Sequence, residues 1–272
     1  MIGLGAAALA AGGGYVYASR IEPEMISIDH ARLKIPRLHP AFEGYRIAHI
    51  SDIHMDHRHM TGERLSGVAA LVNAQNPDFI AITGDYVTRG DPKPYTASLV
   101  EGLRAFRAPD GVAGVLGNHD YWADVRGVRR IIEAGGVREL ANDAMTIQRG
   151  DASLHIAGVD DIWENRHRLE RVLDRLPNEG AAVLLAHEPD FADESAATGR
   201  FDLQLSGHTH GGQCVTPWGS MPLLPDLGRK YPSGLYRVGE MWQYTNRGLG
   251  MVWAPQVRFN CRPEITIVTL TV

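Results

Sequence analysis

The sequence predicts an α/β fold in which helices cover β-sheets, and two observations carry that prediction. Short, β-branched apolar runs alternate with segments of helical periodicity, and after about residue 211 the chain turns to Gly, Pro and aromatic loops with short strands that should complete a second sheet. The runs at 46–51, 79–83, 111–116, 154–159, 182–186 and 203–206 are nearly continuous in apolar residues, as strands buried on both faces are. Between them, 61–75, 95–107, 123–134, 166–176 and 190–198 place apolar residues at helical spacing. In the tail, 234–238, 243–246 and 265–272 read as strands, and no internal repeat interrupts the chain.

With 272 residues, 44% hydrophobic and 22% charged, the composition excludes disorder, collagen and coiled coil and allows one large core. A net charge of -5 would repel a polyanionic backbone, so no nucleic-acid partner is expected. Cys214 and Cys261 form no CxxC pattern and read as two semi-buried thiols, with one bridge as the alternative in an exported protein. Residues 2–18 carry no charge and approach the roughly 17–25 residues of a membrane helix, so 1–19 read as a membrane anchor or signal segment. Residues 20–44, with Pro23, Pro36 and Pro40, read as a tether, and 45–272 as one domain.

Metal-binding residue types recur where the apolar runs stop: Asp52 and His54, Asp85, Asn118 with His119, His187, and His208 with His210. In open α/β sheets, sites form beyond the carboxyl ends of strands, so groups far apart in sequence converge there. Alternation along a strand would put Asp52 and His54 on one face, and likewise His208 and His210. Gly84, Gly117 and Gly207 precede three of these groups and would let the backbone turn tightly. Carboxylate, imidazole and amide donors without thiolates suit manganese, iron or zinc and argue against a structural zinc site.

The order DxH, GD, GNHD, H and GHTH resembles the calcineurin-like metallophosphoesterases. The tail segments Gly207–Gln213, Leu227–Tyr231 and Asn246–Gly250 resemble the bacterial membrane-anchored or exported branch, which includes phosphodiesterases and UDP-2,3-diacylglucosamine hydrolases. The resemblance implies a four-layer αββα sandwich of two packed mixed β-sheets flanked by helices. It implies two divalent ions, manganese ahead of iron or zinc, one held by Asp52, His54, Asp85 and His210. The other would take Asp85, Asn118, His187 and His208, with Asp85 bridging. Metal-activated hydroxide would then attack a phosphodiester or pyrophosphate bond, on a nucleotide-linked or lipid-linked substrate, while His119 serves the leaving group. A broad phosphomonoesterase is the alternative within enzymes, and a metal-dependent binding module the alternative outside them. The resemblance also places the chain at the bacterial cytoplasmic membrane or beyond it, the exported face favoured.

One departure concerns His119. Relatives with a GDxxD motif use the second Asp to orient the catalytic His, whereas this chain has Thr88, so either Asp91 or Asp120 takes that role or His119 is less well oriented. On the substrate side, Arg58, Arg229, Lys230 and Arg247 are candidate phosphate contacts, each weighed against a solvated loop or a bracing ion pair. Tyr121 and Trp122 could flank a leaving group, and 215–227, with Trp218, Leu223 and Leu224, could form a lid, a membrane-touching surface or a buried loop.

Overall fold

The computed structural model describes residues 12–252 and 255–272. Two six-stranded mixed sheets form its centre. The first has the order β1 (Ser27–Lys34), β12 (Glu264–Thr271), β2 (Arg46–Ile50), β3 (Phe79–Thr83), β4 (Val112–Val115), β5 (Arg138–Glu139). The second runs β10 (Gly234–Val238), β11 (Met241–Thr245), β9 (Leu203–Ser206), β8 (Ala181–Leu185), β7 (Ala152–Gly158), β6 (Asp143–Arg149). β2, β3 and β4 are mutually parallel, as are β7, β8 and β9, so both groups of apolar strands end on the same side of their sheets.

Three apolar clusters separate four layers. Between the sheets, Ile47, Phe79 and Val115 of the first meet Leu154, Val183 and Leu203 of the second. Outside the first sheet, α1 (Gly62–Asn73), α2 (Thr96–Arg104) and α4 (Val125–Ala134) pack on Ile50, Ile80 and Ile82. Outside the second, α5 (Leu169–Arg175) and α6 (Ala192–Ala197) cover Ala182 and Leu184. α1 shows why these helices form: Leu65, Val68, Ala69 and Val72 bury one stripe, and the Thr61 hydroxyl accepts from Arg64 N at its start. A short helix, α3 (Asn118–Trp122), opens directly after β4 and starts at a candidate metal ligand.

Two expectations need correction. The supposed tether 20–44 contains β1, paired in parallel with β12 over its full length. The preceding segment is strapped down, with the buried Glu22 carboxylate accepting from Asn260 N at 2.9 Å and Arg64 pairing with Glu24 at 2.5 Å. β1 escaped the sequence reading because an edge strand keeps polar residues on its open face, here His30, Arg32 and Lys34. The tail, in turn, completes both sheets: β10 and β11 extend the second, but β12 crosses to the first and runs antiparallel to β2. Its alternating sequence specifies a strand without specifying a partner.

The anchor expectation falls largely on residues 1–11, outside the described residues. From residue 12 the chain is helical, continuing as a π-helical turn over Tyr17–Ile21. Among the described residues no helix is long and apolar enough to cross a membrane. Cys214 and Cys261 are both free thiols.

Candidate metal centre

The predicted ligands converge above the carboxyl ends of β2, β3, β4, β8 and β9. They do so through turns, not through strand alternation as expected. β2 stops at Ile50 and β9 at Ser206, so Asp52, His54, His208 and His210 all lie beyond their strands. These four and Asp85 adopt left-handed backbone, with φ of 50° and 46° for Asp52 and His54, 57° for Asp85, and 70° and 51° for His208 and His210. Such conformations cost energy for residues bearing side chains and persist where the surroundings hold them. Main-chain pairing does the holding: Asp52 N donates to Gly84 O at 3.0 Å and His54 N to Asp85 O at 2.9 Å, while His208 N donates to both Asp52 oxygens at 3.1 Å. At Gly84, φ is 88° and a Cβ would stand 2.7 Å from both His187 Nδ1 and Gly117 N, so only glycine fits.

Asp85 is the centre of the cluster. Its Oδ2 lies 3.3 Å from His54 Nε2 and 3.2 Å from His187 Nε2. On one side, His210 Nε2 stands 3.4 Å from Asp52 Oδ1 and 3.2 Å from His54 Nε2. On the other, His208 Nδ1 is 3.1 Å from Asn118 Oδ1. Asp52, His54 and His210 could hold one cation, and Asp52, Asp85 and His187 bring their ligand atoms equally close together. His54, Asp85 and His119 make a third such group.

The far nitrogens fix which ring atoms are offered. His187 Nδ1 faces Thr83 O at 2.6 Å and His208 Nε2 faces Asp226 O at 3.0 Å. A carbonyl only accepts, so those nitrogens carry hydrogens and turn His187 Nε2 and His208 Nδ1 toward the centre. His54 Nδ1 meets Thr88 Oγ1 at 3.3 Å, turning its Nε2 inward.

The residues present fit a divalent cation. Asp85 Oδ2 and His187 Nε2 are fully buried and have no hydrogen-bond partner among the described residues, although they face each other. A buried polar atom without a partner is costly, and a cation between these two would satisfy both. Charge points the same way. Burial pushes His54 down to about 4, and burial together with neighbouring imidazoles also lowers His208 and His210, leaving all three neutral, the form that binds metal. Asp52 is pushed up to about 7 by burial and by the charge of Asp85. Burial acts on Asp85 in the same direction, but the facing His187 and His119 hold it well below the carboxylate range; His187 in turn is raised by Asp85 against its own burial.

A family model described as calcineurin-like phosphoesterase matches residues 45–212. Among relatives, the Bacillus subtilis metallophosphoesterase YkuE is 37% identical over 98% of this chain and 93% of its own length. The Escherichia coli phosphodiesterase YaeI is 30% identical over 97% of this chain and 96% of its own length. The chain belongs to the calcineurin-like phosphoesterases. UDP-2,3-diacylglucosamine pyrophosphatase LpxG of Chlamydia trachomatis is 24% identical, covering 93% of this chain and 92% of its own length. As a calcineurin-like phosphoesterase the chain is a hydrolase of phosphoric esters, with clustered His and Asp residues suited to divalent metal.

Beside the cluster opens a cavity of about 420 Å³, lined in part by Asn118, His119, His208 and His210. His119 is oriented by neither candidate acid. Its Nδ1 meets the Thr88 main-chain carbonyl at 2.5 Å; since the carbonyl only accepts, Nδ1 carries the hydrogen and donates it, leaving Nε2 free to exchange a proton. Asp120 instead accepts main-chain N–H groups of Asp85, Tyr86, Val87 and Gly117, tying two strand-end loops together, and Asp91 accepts from Lys93 N.

The substrate-side candidates separate. Arg229 lines the cavity and pairs with Asp226 at 3.0 Å. Lys230 is committed to Asp193 at 2.7 Å, and Arg247 to Asp29 at 2.8 Å and Glu264 at 3.0 Å, so both brace loops. Arg58 is exposed on a turn held by Asp56 and lies outside the cavity lining. Tyr121 turns away to Asp160 at 2.8 Å, whereas Trp122 lines the cavity with its ring 4.5 Å from that of His119. The 215–227 segment stays at the surface: Trp218 is 81% exposed and Leu224 lies on the cavity rim. Sequence reasoning missed Arg89 and Trp163 in the lining. A signal for Trp163 existed, because Asp160 and Asp161 follow the apolar run of β7 just as the ligands follow theirs.

Proposed function

We propose that this chain is a binuclear metal-dependent phosphoesterase that hydrolyses phosphodiester or pyrophosphate bonds. The observation that carries the reading is the single oxygen Asp85 Oδ2, within 3.3 Å of His54 Nε2 and 3.2 Å of His187 Nε2 and otherwise without a partner, the position of a bridging ligand. Asp52, His54 and His210 would complete one cation site with Asp85; Asn118, His187 and His208 would complete the other. The donor set is nitrogen and oxygen without thiolate, which suits manganese, iron or zinc. When bound, two such ions supply a nucleophile from water at neutral pH and neutralise phosphate charge. His119, held through Nδ1 by the Thr88 carbonyl, offers Nε2 to protonate the departing oxygen. Asp85 Oδ1 accepts from His119 N at 2.9 Å and so fixes the start of α3 against the metal residues. Arg229 stands at the cavity edge, paired with Asp226, and would have to exchange that partner to meet a phosphate.

The test uses protein reconstituted with manganese, bis(p-nitrophenyl) phosphate as diester and p-nitrophenyl phosphate as monoester. Diester turnover should exceed monoester turnover. His119→Ala should keep both ions and lose on the order of 100-fold or more in kcat. Asp85→Ala should lose both ions; full metal content in that variant would refute the ligand assignment.

The uncharged residues 2–18, with the exposed Trp218 and Leu223, support a protein working against the bacterial cytoplasmic membrane, on its exported face, on a lipid-linked ester. Flotation of the full chain with anionic liposomes checks this: replacing Trp218 and Leu223 by Ser should reduce the bound fraction, and an unchanged fraction would remove that loop from the account.

A further inference from the structure

Three imidazoles at the centre are steadied at the nitrogen facing away from it: His54 by the Thr88 hydroxyl, His187 by Thr83 O and His208 by Asp226 O. His210 is the exception. Its Nδ1 is buried and has no hydrogen-bond partner among the described residues, so its ring is aimed by the main chain that carries it. That main chain is left-handed at His210 and Gly211, with φ of 51° and 59°, a conformation that a residue with a side chain keeps only where its surroundings hold it.

The turn 258–261, just ahead of β12, supplies part of that hold. Cys261 Sγ lies 3.1 Å from His210 O and 3.4 Å from Gly211 O, and a Cβ on Gly211 would stand 3.0 Å from the same sulfur. From this turn the fully buried Arg258 guanidinium donates to Gly248 O at 3.1 Å and Gly250 O at 2.6 Å, and Gly250 N donates to Asp52 O at 2.7 Å. One turn thus supports His210 directly and Asp52 through the 248–250 loop.

The turn itself is tied to the segment ahead of β1. Glu22 is 1% exposed, and its carboxylate accepts from Asn260 N at 2.9 Å through one oxygen and from Cys261 N through the other. Arg258 N donates to Ala18 O at 2.8 Å. Hydrogen bonds to a carboxylate are stronger than those between neutral groups, so Glu22 is the firmest of these ties. The residues of the other cation site lean elsewhere: Asp120 accepts from Gly117 N beside Asn118, and His187 is held by Thr83 O.

Resting on the binuclear reading above, we propose that Glu22 is a positioning residue for the cation site of Asp52, His54 and His210, so that the segment ahead of β1 is a working part of the metal centre. Detaching that segment should loosen one ion and leave the other.

Manganese binding to the full chain tests this without turnover, by calorimetric titration and by electron paramagnetic resonance. The wild type should take up a pair of ions. In Glu22→Ala one of them should bind about 10-fold more weakly while the other keeps its affinity, and at limiting manganese the spin-coupled signal of the pair should give way to that of a lone ion. Glu22→Gln fits the same space and keeps one acceptor oxygen; it should weaken the same ion by less, and it decides the matter if the alanine variant does not fold. Glu24→Ala breaks only the neighbouring pair with Arg64 and should move neither ion. Unchanged affinities in the Glu22 variants overturn the proposal, as does an equal loss of both ions, which general destabilisation would give. A wild-type chain that binds a single ion would sink the binuclear reading by itself. Glu22 would then be judged on that ion, a lower affinity in Glu22→Ala keeping the proposal and an unchanged one overturning it.

Discussion

Thr88 separates two roles that a side chain at this position could combine. Its main-chain carbonyl meets His119 Nδ1 at 2.5 Å, and its hydroxyl meets His54 Nδ1 at 3.3 Å. Thr88→Val keeps the carbonyl and the β-branched shape and removes only the hydroxyl. A hydrogen bond between neutral groups contributes about 0.5–1.5 kcal/mol net, so His54 should present its Nε2 less firmly and manganese affinity should fall roughly 2- to 13-fold. At saturating manganese the His119 geometry is intact, so kcat should stay within about 2-fold and the pH–rate profile should not move. Manganese titrations of diester hydrolysis across pH measure both. Thr88→Gly is the complement: it frees the backbone that carries the carbonyl, and kcat should drop at saturating metal. If Thr88→Val instead lost on the order of 100-fold in kcat at saturating metal, as His119→Ala should, the carbonyl would not be what orients His119.

Three further outcomes follow from buried charge. Arg258 is fully buried and donates to the main-chain carbonyls of Cys261, Arg247, Gly248 and Gly250; Arg258→Met should lower stability by about 3–5 kcal/mol, read as a thermal midpoint roughly 10 °C lower. His49, buried beside Thr83 Oγ1 at 2.9 Å, is pushed down to about 3 by burial, so its contribution is complete above the ordinary value near 6.5 and is lost as pH falls toward 3. His49→Leu should therefore flatten the acid limb of the unfolding free energy, obtained from urea titrations, by about 1.4 kcal/mol per pH unit, and an unchanged slope would contradict the burial argument. Arg247→Ala should lower the melting temperature with KM unchanged, while Lys230→Ala should change neither; a rise in KM for either would restore a substrate role.

The parts of the fold legible in the sequence are those whose burial is symmetric. β2, β3, β4, β7, β8 and β9 are covered on both faces, so their apolar runs stand out, and the candidate ligands are conspicuous as polar groups gathered within a few residues of the ends of five of them. β1 and β6 are edge strands with one wet face, and their Asp, Arg and Gln positions mimic loop. The sheet that receives β12 is set by tertiary packing, which no local pattern encodes. That these residues converge was readable but the reason for the spacing was not: two residues apart suggested strand alternation, whereas left-handed turns at Asp52, His54, His208 and His210 do the aiming. Arg89 closes no apolar run and carries no local signal at all.

The strand end after β8 joins the chemistry to the cavity. His187 faces Asp85, Glu188 accepts from Ile162 N at 3.3 Å and Trp163 N at 3.1 Å, and Asp190 accepts from Arg229 N and Lys230 N at 3.0 Å. One candidate ligand and the mounts of two facing cavity walls therefore sit within four residues. A buried carboxylate that accepts two main-chain hydrogen bonds cannot shift without moving its neighbours, so Glu188→Gln, which retains one acceptor oxygen, should disturb Trp163 and His187 together. KM and manganese affinity should then worsen in the same variant, while Trp163→Ala raises KM with metal affinity preserved. If Glu188→Gln moved KM alone, the wall would hang from Glu188 independently of the metal residues, and the two halves of the site would be mechanically separate.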